Sequence, residues 1–332
     1  MTNVRIGLVS ATGTGRKRTI PALRNTDLKV SAIHGRDINK LAGVAKEFDI
    51  PNYYTEFDEF LAAGQFDIVV VCSPPFMHDQ QVQALIRKGV PVLIEKPASL
   101  NIKSARQAKA LAEANSVPIR IAHHLRHQST FNFIKDAVES KKIGTIISAS
   151  MEWSFKLNET APSSKWKLDP TLNGLTCLYD AGIHCVDVAV GLFGPGEVVA
   201  AVGKQHGDQR TVEDVSFIAN HGGIQVRTTC TRVYGPYAND LVINGTSGSI
   251  IARDFFTEKS SASVTLKIDG EELIFARETE ENAYLLEVVD FVNSIYGGPI
   301  LNNGTSIDDA ISALQIASGV DSILSPNLTF GN

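Results

Sequence analysis

The sequence predicts an α/β protein with two domains, a doubly wound parallel sheet followed by an α+β domain with an open, mainly antiparallel sheet. Two observations lead to this prediction. Before residue 123, short continuous runs of valine and isoleucine alternate with amphipathic helical patterns, as in parallel strands that are covered on both faces. After it, alternating strands are joined by hairpin-like turns such as "NHGG", "NGTSG" and "IDGEE". We therefore predict domains at residues 1–122 and 123–332.

The first predicted domain alternates strands and helices throughout. Its strands are expected at residues 4–9, 30–33, 53–54, 68–72, 92–94 and 119–122, with helices at 16–24, 39–48, 78–87 and 104–114. Another helix begins in "TEFDEFLAA", where Thr55 and Asp58 have the spacing of a capping box. This order is that of a Rossmann-like dinucleotide-binding domain, whose ligands bind at the carboxyl ends of the strands.

The second predicted domain has a different rhythm. Its strands are expected at residues 146–155, 198–202, 215–219, 225–233, 240–244, 263–268 and 273–275, with helices at 131–140, 182–193, 284–296 and 307–323. Strands in hairpins with interspersed helices are typical of an open sheet whose helices cover one face.

Composition limits the function classes. Hydrophobic residues make up 43% and charged residues 20% of the chain, which are ordinary values for a soluble globular enzyme. The net charge of −5 gives no support for nucleic-acid binding, and no apolar stretch approaches the roughly 20 residues of a membrane span. The chain enters a strand pattern at once, so we expect no signal peptide and a cytoplasmic location. Neither a disulfide nor a metal site is expected from the four cysteines, which lack C-x-x-C spacing.

The segment "GLVSATGTGRKR" (7–18) is the candidate phosphate loop. A full dinucleotide fingerprint would have glycines at positions 10, 12 and 15, and only the last is present. The segment follows a strand and opens a helix, where free N–H groups can bind a pyrophosphate. The predicted cofactor contacts are Thr12, Gly13, Thr14 and Gly15; the alternative is a turn that serves only backbone sterics. The cluster Arg16–Arg18 is interpreted as a solvated helix start rather than a phosphate clamp.

The segment "SAIHGRDINK" (31–40) predicts the cofactor. An acidic residue after the second strand would select NAD, but Gly35 stands there and Arg36 follows it. Glycine removes a carboxylate that would repel a 2′-phosphate, and a guanidinium has planar donors for phosphate oxygens. The alternative is that Arg36 stacks on the adenine or points to solvent. We predict NADP rather than NAD, with Lys40 as a further candidate contact.

Four motifs resemble one known family. They are "VVVCSPPFMH" (69–78), "VLIEKP" (92–97), "HHLRH" (123–127) and "NGLTCLYDAGIHCVDVAVGLFG" (173–194). From residue 4 to about 320 the chain resembles the Gfo/Idh/MocA family, named for glucose–fructose oxidoreductase, inositol dehydrogenase and rhizopine catabolism. The resemblance implies a Rossmann domain and an open-faced sheet that forms a homodimer or homotetramer. It also implies hydride transfer between a nicotinamide dinucleotide and a sugar, ketosugar or cyclitol.

The same resemblance suggests the catalytic residues. It places Glu95 near the ribose on the nicotinamide side and Lys96 at the substrate oxygen beside the cofactor. A cation suits the oxyanion that develops there, although an isolated Glu–Lys pair at a strand end would be a surface ion pair. His184 is the candidate proton donor or acceptor because histidine titrates near neutral pH, with Lys96 as the alternative. Asp180, four residues earlier on a predicted helix face, would orient the imidazole or hold a substrate hydroxyl.

Six further residues are predicted ligand contacts from their positions in these motifs. Those that flank the cofactor are Ser73, Pro74 and His78, and those that contact the substrate are His124, Arg126 and Trp166. For Trp166, packing between domains is the alternative. Asp187 is expected to support the structure.

These features predict an NADP-dependent dehydrogenase or reductase acting on CH–OH groups of a small polyhydroxylated substrate. Two other functions are compatible with the fold. A dinucleotide or sugar sensor would not turn over its cofactor, and it would be expected to lose Lys96 or His184, which are both present. An NAD-dependent, redox-assisted glycosidase would keep its cofactor tightly bound through each cycle.

Overall fold

The computed structural model describes residues 4–161, 164–206, 210–235, 239–256, 263–276, 282–300 and 304–325. The chain divides into two units. The first comprises Met1–His124 and Asn282–Ile307, and the second comprises Leu125–Glu281 and Asp308–Asn332. The chain thus passes into the second unit two residues after the predicted boundary. It returns to the first unit for a helix that the sequence prediction places in the second domain.

Six parallel strands form the sheet of the first unit, in the order β3-β2-β1-β4-β5-β6. They are β1 (Arg5–Val9), β2 (Lys29–His34), β3 (Asn52–Tyr54), β4 (Ile68–Val71), β5 (Val92–Glu95) and β6 (Ile119–Ala122). The central strand β4 is buried along its whole length, as expected for a parallel strand that is covered on both faces. The predicted doubly wound sheet is confirmed.

The helices of this sheet lie close to their predicted positions. They are α1 (Ile20–Leu23), α2 (Ile38–Glu47), α3 (Phe57–Ala63), α4 (His78–Arg87) and α5 (Ile102–Ala114). A wide helical turn, Ala11–Thr19, precedes α1 and is kinked at Gly13. The predicted capping box of α3 is wrong, because Glu56 is the N-cap residue and makes no side-chain capping bond.

The sheet of the second unit has eight strands in the order β14-β13-β12-β11-β7-β10-β9-β8. They are β7 (Ile146–Ser154), β8 (Glu197–Gln205), β9 (Val212–His221), β10 (Ile224–Thr231), β11 (Leu241–Gly245), β12 (Gly248–Arg253), β13 (Ser263–Ile268) and β14 (Glu271–Ala276). Neighbouring strands are antiparallel except the pair of β7 and β10, which is parallel. The predicted open, mainly antiparallel sheet is confirmed, with β12 as an additional strand.

The other helices after β6 are α6 (Ser129–Glu139), α7 (Pro170–Asn173), α8 (Ile183–Phe193) and α10 (Ile307–Leu324). Of these, α6 and α8 pack against the second sheet through a shared apolar core. Phe131 of α6 and Val188 of α8 belong to one buried cluster with Met151 and Ile243 of the sheet. This core fixes α8, which carries His184.

The last helix of the first unit is α9 (Ala283–Tyr296). Its residues Val288, Phe291 and Val292 lie in the same buried cluster as Ile20 and Leu23 of α1. A segment distant in sequence therefore packs beside the helical turn that follows β1. Within the described ranges, every helix is too short or too polar to cross a bilayer.

Candidate active site

The loop after β1 has the shape of a phosphate-binding turn. Ser10 adopts a left-handed conformation (φ 60°, ψ 47°), and Gly13 has non-helical dihedrals (φ −102°, ψ −114°). A Cβ on Gly13 would meet nothing within 4 Å, so the backbone here is open to a ligand. A Cβ on Gly15 would lie 3.0 Å from Leu8 Cδ2 and 3.5 Å from Cys72 Sγ. Gly15 therefore permits the close helix–strand packing that the last glycine of the fingerprint provides.

The end of β2 lies next to this loop. A Cβ on Gly35 would be 3.5 Å from Thr12 Cγ2 and 3.1 Å from Leu41 Cδ1. A pocket of about 230 Å³ opens here, lined by Thr12, Arg16, Lys40, Gly43, Val44 and Glu47. Arg36 is exposed and is not one of these lining residues in the described structure. The cation that the structure adds to the predicted set is Arg16.

The turn after β4 is held by His78, which is fully buried. Its Nδ1 lies 3.0 Å from the carbonyl oxygen of Pro97 and its Nε2 lies 2.8 Å from that of Ser73. Burial lowers the pKa of His78, which favours the neutral ring. The Ser73 hydroxyl donates to Gln81 at 2.6 Å. His78 thus lies between the turns after β4 and β5, and its neutral ring can donate to one of the two carbonyl oxygens.

The end of β5 carries the predicted catalytic pair. Val92, Leu93 and Ile94 are buried, whereas Glu95 and Lys96 are half-buried. The Lys96 backbone N–H lies 3.3 Å from Glu95 Oε2. Because the carboxyl ends of parallel strands form the ligand-binding edge of such sheets, the pair lies where a ligand of this unit would bind.

A buried acid from α9 lies in the same electrostatic neighbourhood. Glu287 is 5% exposed, and its Oε2 has no hydrogen-bond partner in the part of the chain that the structure describes. Burial, and then the charge of Glu95, raise the pKa of Glu287 well above its ordinary value. Burial and Glu95 also raise the pKa of Cys72. Glu287 is absent from the sequence prediction because its helix is assigned there to the second domain.

Asp180 lies in a buried charged network of the second unit. It is 8% exposed and follows the 3₁₀ turn Cys177–Tyr179. Lys167 Nζ donates to both of its carboxylate oxygens, at 3.0 and 2.9 Å, and Arg232 Nη1 donates to Oδ2 at 3.2 Å. The predicted helical spacing of Asp180 and His184 is wrong, because α8 begins only at Ile183.

Arg232 connects this network to a second carboxylate. Its side chain is completely buried, and its Nε and Nη2 donate to the two oxygens of Glu213 at 2.7 Å each. Although burial lowers the pKa of Arg232, the bonds to Glu213 and the charge of Asp180 raise it overall. Lys167, Glu213 and Arg232 are missing from the sequence prediction. For Glu213 and Arg232, the available signal was a charged residue within or directly after an apolar strand, where charges are rarely buried unless paired.

His184 lies in the first turn of α8 and is 5% exposed. Its ring centroid is 4.4 Å from that of Trp153, at an interplanar angle of 36°. Trp166 is half-buried, and Lys167 Nζ lies 5.6 Å from its ring centroid. The Trp153 ring thus contacts His184, and the Trp166 ring lies beside Lys167, which binds Asp180.

The structure gives two predicted substrate contacts other partners. Arg126, 5% exposed, binds Asp187 through Nε at 2.9 Å and Nη2 at 2.8 Å, and Asp309 through Nη1 at 3.0 Å. We correct the prediction for Arg126, since each of its three nitrogens is bonded to a carboxylate. The structural role of Asp187 is confirmed. His124 stacks on Tyr284 with centroids 4.4 Å apart.

Comparison with known proteins defines the class. Residues 4–123 match the oxidoreductase family GFO_IDH_MocA with its NAD-binding Rossmann fold, and residues 131–251 match the GFO/IDH/MocA C-terminal domain. These matches define an oxidoreductase with an NAD-binding Rossmann domain. The chain belongs to the GFO/IDH/MocA family.

No group of three or more candidate metal ligands occurs among the described residues.

Three proteins are similar to this chain, one in sequence and two in fold. A 1,5-anhydro-D-fructose reductase of Ensifer adhaerens is 26% identical over 271 residues, covering 79% of this chain and 80% of the relative. The 3-ketoreductase KijD10 from Actinomadura kijaniata, solved with NADP and TDP-benzene, has a TM-score of 0.85 at 18% identity, covering 97% and 98% of the two chains. An oxidoreductase from Agrobacterium radiobacter, solved with NAD+, L-tartaric acid and magnesium, has a TM-score of 0.83 at 16% identity, covering 98% and 97%. These two structures establish likeness of fold.

Proposed function

We propose that the protein is a cytoplasmic, NADP-dependent oxidoreductase. It transfers a hydride between the nicotinamide and a hydroxyl or carbonyl group of a small polyhydroxylated substrate, such as a sugar, ketosugar or cyclitol. The observation that carries the proposal is the end of β5, where a buried parallel strand of a family-matched dinucleotide domain terminates in half-buried Glu95 and Lys96. The 1,5-anhydro-D-fructose for which the Ensifer adhaerens relative is named supports the substrate class.

The residues of the first unit fit a dinucleotide. The open backbone at Gly13 and the hydroxyls of Thr12 and Thr14 would hold the pyrophosphate, and the pocket beside Gly35 would hold the adenosine ribose. When bound, the nicotinamide supplies or accepts the hydride. The two solved structures contain NADP and NAD+ respectively, so the choice between them is argued from the pocket. Its lining cations, Arg16 and Lys40, favour a 2′-phosphate.

The chemistry of the reacting oxygen needs a cation and a proton-transfer group. In this proposal the Lys96 ammonium stabilises the oxyanion that develops during hydride transfer. His184 gives or takes the hydroxyl proton, with Lys96 as the alternative group. Asp180, fixed through both carboxylate oxygens by Lys167 and Arg232, accepts a hydrogen bond from a substrate hydroxyl or orients the imidazole.

The second unit supplies a surface for self-association in this proposal. One face of its sheet exposes apolar side chains, with Val202 69%, Ile218 36% and Ile274 66% exposed. Exposed apolar side chains on one face commonly mark an interface. A homodimer or homotetramer formed through this sheet would bury them. Light scattering that gives the mass of a single chain at micromolar concentration would contradict this part.

The test is a screen of NADPH oxidation and NADP reduction against sugars, ketosugars, cyclitols and aromatic diols. On the substrate so identified, Lys96→Ala should lower the rate about a hundredfold to a thousandfold, because a charge-stabilising group in the transition state is lost. Lys88→Ala is the matched control, since Lys88 is an exposed lysine of the same unit.

Two results would refute the proposal. One is the absence of turnover with either cofactor on every substrate class, although the dinucleotide binds; this result would favour a sensor. The other is a Lys96→Ala variant whose rate matches that of Lys88→Ala. His184→Ala should also lower the rate and remove a limb from the pH–rate profile, and an unchanged profile would move proton transfer to Lys96.

A further inference from the structure

The pocket beside Gly35 contains an acid as well as cations. Arg16 comes from the helical turn after β1, whereas Lys40 and Glu47 come from the first and last turns of α2. The lining thus carries two positive charges and one negative charge. A carboxylate is out of place in a site for a phosphate, because like charges repel. Glu47 therefore requires an explanation that the proposed function does not give.

Glu47 is the partner of Arg16. Arg16 Nε and Nη2 both lie 2.9 Å from the same oxygen, Glu47 Oε2. The two side chains are 53% and 43% exposed, and ion pairs at this exposure are weak because water competes for both groups. A phosphate presents several oxygens to the planar guanidinium and can replace a single carboxylate oxygen.

Lys40 has a different kind of partner. Its Nζ lies 3.4 Å from Asp37 Oδ2. Asp37 is the N-cap of α2 and accepts hydrogen bonds from the backbone of Asn39 and Lys40. The Asp37 carboxylate is therefore fixed by the helix, whereas among the described residues the Glu47 carboxylate is held by the exposed pair with Arg16 alone. Of the two acids, Glu47 is the one that a ligand can displace.

We propose that Glu47 determines the strength of cofactor discrimination: it holds Arg16 in the free protein, and the 2′-phosphate of the bound dinucleotide takes Arg16 from it. The inference rests on the proposed function, because it places the 2′-phosphate in this pocket. Glu47 weakens binding of the phosphorylated cofactor in two ways, by occupying Arg16 and by repelling the phosphate. A cofactor without the phosphate encounters neither effect.

Calorimetric titration with 2′,5′-ADP and 5′-AMP tests this, since the two nucleotides report on the 2′-phosphate without turnover. The full chain is used at low salt, where screening is small. Glu47→Gln should tighten 2′,5′-ADP binding roughly threefold to tenfold and leave 5′-AMP unchanged. Arg16→Ala should weaken 2′,5′-ADP binding roughly tenfold. In the Arg16→Ala background, Glu47→Gln should gain less, because one of its two effects acts through Arg16.

Lys17→Ala is the control. It removes the same charge one residue away from Arg16, at an exposed position outside the pocket lining. The inference is overturned if Glu47→Gln leaves 2′,5′-ADP affinity unchanged, or tightens both nucleotides equally. It is also overturned if Lys17→Ala loses as much affinity as Arg16→Ala, since a diffuse positive field would then explain the data. Selective binding of 2′,5′-ADP that follows Glu47, in a protein without turnover, would support the inference while the proposed function fails.

Discussion

Glu213 and Glu287 are buried glutamates in different units, and their surroundings have opposite charge. Glu213 is 1% exposed and accepts two hydrogen bonds of 2.7 Å from Arg232. Glu287 is 5% exposed, and within the described ranges its Oε2 has no hydrogen-bond partner. The charge that acts on Glu287 is another carboxylate, Glu95, which adds to the effect of burial in raising the pKa of Glu287.

The difference shows that burial alone does not decide how this chain uses a carboxyl group. In the second unit, Arg232 and Lys167 compensate the charges of Asp180 and Glu213, so a rigid ionic network holds Asp180 in place. In the first unit, the raised pKa of Glu287 favours its neutral form, which places less negative charge beside Glu95. The two regions should therefore respond oppositely to loss of charge.

The largest expected effect comes from removing Arg232, the fully buried cation of the network around Asp180. Arg232→Met leaves two buried carboxylates, Glu213 and Asp180, with Lys167 as the remaining cation of the network. One buried negative charge is then uncompensated, which costs about 3–5 kcal/mol. Urea unfolding, followed by a probe in the second unit, should show the lowered midpoint. The double variant Arg232→Met/Glu213→Gln should recover part of the loss, because one stranded charge is removed with its partner.

Arg5→Met is the matched control. Arg5 donates to Asp67 at 2.7 Å, but the side chains are 47% and 32% exposed. Exposed pairs of this kind contribute about 0–1 kcal/mol. If Arg232→Met costs no more than Arg5→Met, the network around Asp180 is not held by charge compensation, and the contrast between the two units disappears.

The next effect comes from Glu287→Gln. Because the folded-state pKa of Glu287 is raised, its contribution to stability is complete below the unfolded-state pKa and is lost as pH rises towards the folded-state value. Glutamine does not titrate, so the variant should become more stable relative to the wild type as pH increases from 5 to 8. The sign of this change follows from the raised pKa, and the change should exceed that of an exposed glutamate changed in the same way.

Thermal unfolding midpoints at both pH values measure this change. Glu113→Gln provides the comparison, since Glu113 is an exposed helical glutamate of the same unit. A difference between Glu287→Gln and wild type that stays constant from pH 5 to pH 8 would show that Glu287 is ionised in the folded protein. The two units would then treat buried carboxylates alike.

The fold was largely predictable because periodicity is a local property. Continuous apolar runs such as β4 and the alternation of β9 mark their strands directly. The strand β12 was missed, since a short apolar run such as "SIIA" has no clear period of its own. The assignment of α9 to the first unit is not a local property either. An amphipathic helix specifies that it must pack, and only the tertiary structure specifies which sheet it packs on.

The candidate site was predictable where one segment carries its signal. Glu95 and Lys96 end an apolar strand, so their position at the ligand edge follows from the order of elements. The partners of Asp180 lie 13 and 52 residues away in sequence, and their pairing with it depends on tertiary structure. Arg126 shows the converse: its strand-end position suggested a ligand, but Asp187 and Asp309 occupy it.

The smallest expected effect comes from Asp321, whose surroundings compensate its burial to a degree between those of Glu213 and Glu287. It is half-buried on α10, and no cation among the described residues pairs with it; it accepts hydrogen bonds from Tyr179 at 3.0 Å and Thr176 at 3.1 Å. Burial raises the pKa of Asp321 to about 6, although both hydroxyl bonds lower it. Hydroxyl donors therefore offset part of the burial cost, less than Arg232 does for Glu213 and more than the surroundings of Glu287 do.

Asp321→Asn should remove a pH dependence of stability between about 4 and 6, where the raised pKa makes the wild type lose stability as pH rises. We expect a relative change of about 1 kcal/mol after allowance for the contact of Asp321 with water. Unfolding midpoints at pH 4 and pH 6.5 measure it, with the exposed Asp308→Asn on the same helix as control. The expected result is a shallower dependence of stability on pH in Asp321→Asn than in both the wild type and Asp308→Asn. Equal slopes in all three proteins would place Asp321 with the cation-paired carboxylates, because hydroxyl donors alone would then suffice to cancel its burial.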